Sequence, residues 1–99
     1  MRTTYSQQQL LRMKRTTTLL GDASNLLILF ELMQFGEKSF NELKRMTGIN
    51  PVTLSKKLSV LKEGDFVSMH KQGNENHYTI TERAELLRPI MAEIKKLVI

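Results

Sequence analysis

The 99 residues contain no cysteine, no tryptophan and only two prolines; four phenylalanines and two tyrosines are all their aromatic side chains. Without cysteine there is no disulfide framework, no thiolate zinc site and no thiol redox switch. The longest unbroken apolar run, Leu26 to Phe30, is five residues, far short of the roughly 18 that a membrane span needs. The opening MRTTYSQQQLL has neither the apolar stretch nor the small-residue cleavage site of a signal peptide, so a cytoplasmic protein without a membrane partner is expected. No serine-nucleophile motif, phosphate-cradling glycine loop or paired-carboxylate constellation is present, and an enzyme is not expected. Nor are internal repeats or low-complexity tracts found.

Positive charge is what the chain has in excess. Fifteen bases against ten acids give a net +5, and residues 1–20 carry Arg2, Arg12, Lys14 and Arg15 with no acid. That balance suits nucleic acid or an anionic surface. It suits a merely soluble basic protein equally well, so charge alone decides nothing.

Local signals divide the chain. Ser6-x-x-Gln9 has the form of a capping box, opening a helix that carries Leu10, Met13, Thr17 and Leu20 on one face and closes at Gly21-Asp22. Residues 26–35 are apolar nearly all round, the pattern of a buried helix, with Asp22 or Ser24 to cap it and Gly36 to end it. Ser39-x-x-Glu42 is a second capping box, for a short helix through Met46 with Phe40, Leu43 and Met46 inward. Gly48 turns the chain; Asn50 then caps a helix with Pro51 at its first position, running to Glu63 and ending at Gly64.

Two short helices about a glycine turn form a helix-turn-helix pattern. After Gly64 come β-prone runs at 66–69 and 78–80, separated by turn formers around Gly73-Asn74. A hairpin in that position is a wing. Thr81 caps a last helix, which Pro89 must kink or restart. The expected fold is therefore mainly α with a small β-hairpin wing. It is one domain over 1–99: an N-terminal helix (1–21), a winged helix-turn-helix core (22–81) and a C-terminal helix (82–99).

On the helix from Pro51, a step of about 100° per residue puts Leu54, Leu58 and Leu61 on the core side. Val52, Lys56, Ser59 and Glu63 face away, flanked by Thr53, Val60 and Ser55, with Lys57 nearer the buried edge. The outward face is small, hydroxylated or cationic until Glu63. Base readout by such a helix uses its N-terminal turns in the major groove, where hydroxyls donate and accept and a lysine reaches guanine or phosphate. A solvated face without a partner is the plain alternative; the helix before and the hairpin after favour a duplex.

The stretch FNELKRMTGINPVTLSKKLSVLKEGDFV, with HYTIT downstream, resembles the winged helix-turn-helix regulators of the MarR superfamily, and most closely its HxlR branch. The matching residues are Thr47, Gly48, Ile49, Thr53, Leu54, Ser55, Leu58, Leu61, Gly64, Phe66, Val67, Tyr78, Ile80 and Thr81, with Leu87-x-Pro89-Ile90 behind them; the likeness covers about residues 24–98. It implies a homodimer on roughly palindromic double-stranded DNA, with terminal helices at the dimer interface. The cysteine many HxlR-type proteins carry near the start is absent, which excludes thiol sensing. So is the arginine of the MarR wing, leaving Lys71 to a phosphate. An effector pocket between dimerisation and DNA-binding regions needs more helical mass than this chain has.

The expected DNA-facing set is Ser39, Asn41, Asn50, Val52, Thr53, Ser55, Lys56, Lys57 and Ser59, with Lys71, Gln72, Asn74 and Asn76 of a wing over about 70–77; Lys57, Lys71 and the N-terminal bases would hold phosphates. The expected dimer interface is Leu10, Met13, Leu20, Ile90, Met91, Ile94, Leu97 and Val98. A twofold arrangement would space two recognition helices about 34 Å apart. His70 and His77 flank the hairpin, but a metal site needs three or four ligands and only Glu75 lies near in sequence. Polar strand ends are expected there, with no metal and no cofactor. The six methionines are expected to fill the core. Two other roles share the pattern: a winged-helix protein–protein module, or a non-specific DNA-packaging protein that binds every sequence alike.

Overall fold

The computed structural model describes residues 4–98. In order these form α1 (Gln7–Leu20), α2 (Ala23–Phe35), β1 (Lys38–Ser39), α3 (Phe40–Thr47), α4 (Pro51–Glu63), β2 (Val67–Gln72), β3 (Glu75–Ile80), α5 (Glu82–Glu85) and α6 (Arg88–Val98). Most helix starts are set by one polar side chain that takes an otherwise orphaned backbone N–H. Ser6 accepts from Gln9 N, Asp22 from Asn25 N, Ser39 from Glu42 N, Asn50 from Val52 N and Thr81 from Ala84 N. Both capping boxes read from the sequence are complete, and Asp22 rather than Ser24 caps α2.

The core is drawn from α2, α3, α4, the hairpin, α5 and α6. Ile28, Leu29 and Leu32 of α2 meet Leu43 of α3 and Leu54, Leu58 and Leu61 of α4, with Phe66, Val67 and Tyr78 closing it from the hairpin and Ala84 and Met91 from the C-terminal helices. Each fully buried leucine is worth about 1.5–3 kcal/mol, so α4 is held by its inner face. At its end Gly64 has φ −77 and Asp65 takes the left-handed conformation, φ 63. Gly64 serves close packing instead: a Cβ there would stand 3.1 Å from Leu19 Cδ1 and 3.3 Å from the Phe66 ring.

Several expectations change. The buried α2 keeps an open edge, Leu27 at 48% and Phe35 at 53% exposed, because neighbours cover only part of its circumference. Met46 is exposed; α3 is short and only Leu43 of its inner face is fully covered. Among the methionines, Met91 is buried and Met33 packs on the core, whereas Met13, Met46 and Met69 are exposed. The C-terminal helix is two pieces: α5 stops at Glu85 and α6 restarts at Arg88 with Pro89 in its first turn, where the missing N–H costs nothing. Arg88 ties the restart down, bonding Glu85 at 2.7 Å and donating to the Met33 carbonyl at 3.2 Å.

The wing has a third strand. β1 pairs antiparallel with β3, Lys38 opposite Tyr78 and Ser39 opposite His77, giving the order β1-β3-β2. The hairpin ladder runs from Val67–Ile80 out to Gln72–Glu75, so the strands include Lys71 and Asn76 and only Gly73-Asn74 makes the turn. Gly73 alone of that pair takes positive φ, 66.

Candidate nucleic-acid interface

The two helices of the motif are joined through Gly48, φ 70 and ψ 10, whose N–H donates to the Lys44 carbonyl. Thr47 Oγ1 donates to the Leu43 carbonyl at 2.7 Å and accepts from Ile49 N at 3.2 Å. The turn is therefore internally bonded, and Ile49 packs on the core. Asn50 Oδ1 accepts from both Val52 N and Thr53 N. That cap and Pro51 leave the first turn of α4 pointing outward with its N–H groups satisfied.

The outward surface of α4 is the one read from the sequence. Val52, Ser55, Lys56 and Ser59 are exposed and Thr53 is half-buried. The first turn has no acid, and Glu63 and Asp65 stand at the far end. Lys56 makes no ion pair among the described residues.

Lys57 is different: its Nζ bonds Asp22 Oδ2 at 2.7 Å, with both side chains about a third exposed. The Lys57 hydrogen bond holds the Asp22 carboxyl below its ordinary range, helped by the Asn25 backbone N–H. Lys57 braces α4 against the α1–α2 joint and is not free for a phosphate. Ser39 is also corrected. It is 3% exposed, and its Oγ serves the α3 cap. The Ser39 backbone in turn holds Glu42 below the usual carboxylate range, keeping that negative charge on its own cap.

Near the start of α3, Asn41 borders an open polar groove of about 430 Å³ with Ser39, Glu42, Lys44, Arg45 and Glu75. Lys44 and Arg45 were missed from sequence; they follow Asn41 at helical spacing, the one signal that could have placed them. On the wing, Lys71, Gln72 and Asn74 are exposed, while Asn76 is half-buried with Oδ1 shielded and unpaired. Arg12 and Arg15 line another groove with Glu63, Asp65 and Arg83, at the C-terminal end of α4. Arg12 and Arg15 therefore stand about 18 Å along the helix from its reading end, and Arg2 lies outside the described residues.

The apolar set expected at a dimer interface divides. Met91 is 4% exposed in its own core, and Leu20 and Ile94 pack partly on it. Leu10, Met13, Ile90, Leu97 and Val98 are exposed, as are Tyr5, Leu11 and Leu86. The α1 helix buries no residue at all.

A capped helix pair, an outward second helix and a three-stranded wing define the winged helix-turn-helix class of DNA-binding domains. Within that class the chain belongs to the HxlR-like helix-turn-helix family, whose pattern matches residues 19–99. It is similar to the transcriptional regulator YodB of B. subtilis in reduced form, at 27% identity over 86% of each chain with a TM-score of 0.75. It is also similar to a homodimeric winged helix-turn-helix DNA-binding domain of Mycobacterium bovis, a possible ArsR-family transcriptional regulator. That likeness has 26% identity, 99% coverage of this chain and 90% of that one, and a TM-score of 0.72. NolR of Sinorhizobium fredii shares the fold at 20% identity, 94% and 96% coverage and a TM-score of 0.75. None of the curated proteins matches. These likenesses are to regulators and not to enzymes. No helix among the described residues is long and apolar enough to cross a membrane.

Proposed function

We propose that the protein is a homodimeric transcriptional regulator that reads double-stranded DNA with α4 in the major groove and rests its wing on the backbone. The observation that carries this reading is the exposed outward face of α4, free of acids until Glu63 at its far end, with Lys56 unpaired among the described residues. Val52, Thr53, Ser55 and Ser59 meet base edges, and Asn41, Asn50, Lys71, Gln72, Asn74 and Asn76 lie along phosphates, joined by Lys44 and Arg45. Two copies pair through α1 and the outer edge of α6, where Leu10, Met13, Ile90, Leu97 and Val98 are exposed; that the M. bovis domain is homodimeric supports a dimer as such. Such a dimer sets its reading helices about 34 Å apart, one turn of duplex. Its work lies with the DNA, in the cytoplasm.

The test is Lys56→Ala, titrated with duplexes selected from a random pool across a salt series. If Lys56 neutralises a phosphate, affinity falls and the slope of log K against log salt drops by about 1. Unchanged affinity and slope would reject the assigned face. Equal affinity for selected and random duplex would leave DNA packaging in place of regulation.

A further inference from the structure

His70 of β2 and His77 of β3 are cross-strand partners, with rings stacked at 5.7 Å between centroids and 26° between planes. Glu37, from the segment ahead of β1, reaches both. Its Oε1 lies 3.5 Å from His70 Nε2 and its Oε2 3.3 Å from His77 Nδ1. The other nitrogen of His77 faces Glu75 Oε2 at 3.6 Å. His77 therefore has a carboxylate at each end of its ring. A neutral imidazole has one N–H and one lone pair, so one carboxylate then faces a lone pair; only imidazolium donates at both ends. His77 is also the most sheltered member, its side chain 16% exposed against 39% for Glu37 and 53% for Glu75.

No lysine or arginine among the described residues lies within ion-pair distance of these carboxylates. Lys38 donates to the Phe35 and Glu37 carbonyls. Lys71 follows His70 in the strand and so projects from the opposite sheet face. From α3, Glu42, Lys44 and Arg45 border the groove that Glu75 shares. No group of three or more His, Cys, Asp or Glu among the described residues is arranged to hold a metal ion. The species that this cluster fits is a proton.

We propose that Glu37, His70, His77 and Glu75 form a proton-operated switch in the wing, which strengthens DNA binding on acidification. The proposal rests on the wing lying against the duplex backbone. With both rings neutral neither carboxylate has an ion-pair partner among the described residues; protons on the rings supply one to each and hold Glu37 against the hairpin. The histidine pair stands two ladder steps in from the Gln72–Glu75 pair that closes the hairpin, about 7 Å. That is within a Debye length of about 8 Å at physiological salt, so the tip and any phosphate beside it feel the change. By linkage, DNA binding then takes up protons.

The experiment uses the full chain and a duplex selected from a random pool, at pH 8 and pH 6 and constant ionic strength. It compares wild type, Glu37→Gln, and His70→Gln with His77→Gln, and records backbone amide spectra of each free protein. Wild type should bind roughly two- to fivefold tighter at pH 6. Both variants should lose that gain. The Glu37 and Lys38 amide peaks should move with pH in wild type and stay fixed in the double histidine variant. A gain kept by Glu37→Gln but lost without the histidines would mean ordinary imidazoles near phosphate, and would overturn the switch. So would a gain that survives in both. If no duplex binds at either pH, the regulator reading alone fails. The amide peaks then decide the cluster: movement that needs the histidines upholds it, and none overturns it.

Discussion

Two helices of this molecule are exposed for opposite reasons. Both α1 and α4 begin at a polar cap and run 14 and 13 residues. The α4 helix buries Leu54, Leu58 and Leu61 and shows solvent Ser55, Ser59, Lys56 and Lys62, with Val52 and Val60 among them. The α1 helix buries no residue fully and shows Leu10, Leu11 and Met13, with Tyr5 just ahead of it, at nearly half exposure each. A polar face left open on an anchored helix is a surface for a hydrated, charged partner. An apolar face left open on a helix tied only at its end by Leu19 and Leu20 is half of a core. The first belongs to the fold of one chain, and the second is the face on which we propose that another copy pairs.

The sharpest way to break this contrast is to weaken each helix where it matters. Leu58→Ala removes one of the three leucines that seat α4, and should cost about 2–5 kcal/mol, lowering Tm by roughly 10–20 °C in thermal unfolding followed by circular dichroism. Leu10→Glu with Met13→Glu should do something different. Helix content stays, sedimentation shifts from dimer to monomer, and affinity for a two-half-site duplex drops at least about tenfold as the half-sites lose their link. A double variant that remains dimeric would mean that α1 is not what joins two copies. A Leu58→Ala protein with unaltered Tm would mean that α4 does not depend on its inner face.

The parts of this contrast that depend on near neighbours were legible in the sequence. Ser6-x-x-Gln9, Ser39-x-x-Glu42 and Asn50-Pro51 each set a helix start within a turn, and Gly48 and Gly73 lie where the backbone crosses to positive φ. The helical step was enough to orient α4. It was not enough for α6, where Met91 and Ile94, with Leu87 just ahead of them, pack on the core and the neighbouring stripe of Ile90 and Leu97 stays open. That choice between two apolar stripes is made with long-range contacts such as Arg88 to the Met33 carbonyl, 55 residues back. Contacts of that kind leave no local spacing to read. The short β1 strand, Glu37 over the two histidines, and Asp22 beneath Lys57, 35 residues apart, are all meetings that only the closed fold produces. Hence Lys57 read as a free base, and the histidines as plain strand ends.

The smallest expected effect tests the bond that joins the two regions. Asp22 caps α2 just after α1 ends, and Lys57 comes from the middle of α4. Asp22→Asn keeps the cap, since asparagine is as good there as aspartate, and removes only the charge. At pH 7 it should lower stability by less than about 1 kcal/mol, because both partners touch solvent. Because Lys57 holds the folded-state carboxyl below its usual range, the folded protein binds fewer protons than the unfolded chain through that interval. The contribution is therefore complete above the ordinary carboxylate value near pH 4 and fades as pH falls through the lowered one. The gap between wild type and Asp22→Asn in denaturant unfolding should close on acidification, and a gap that widens would rule out the ion pair as its source. Lys57→Met should show the same stability loss with the salt slope of DNA binding unaltered, whereas a slope lower by about 1 would return Lys57 to the phosphates. A brace of this size does little for the fold as a whole; what it does is tie the middle of α4 to the joint between α1 and α2.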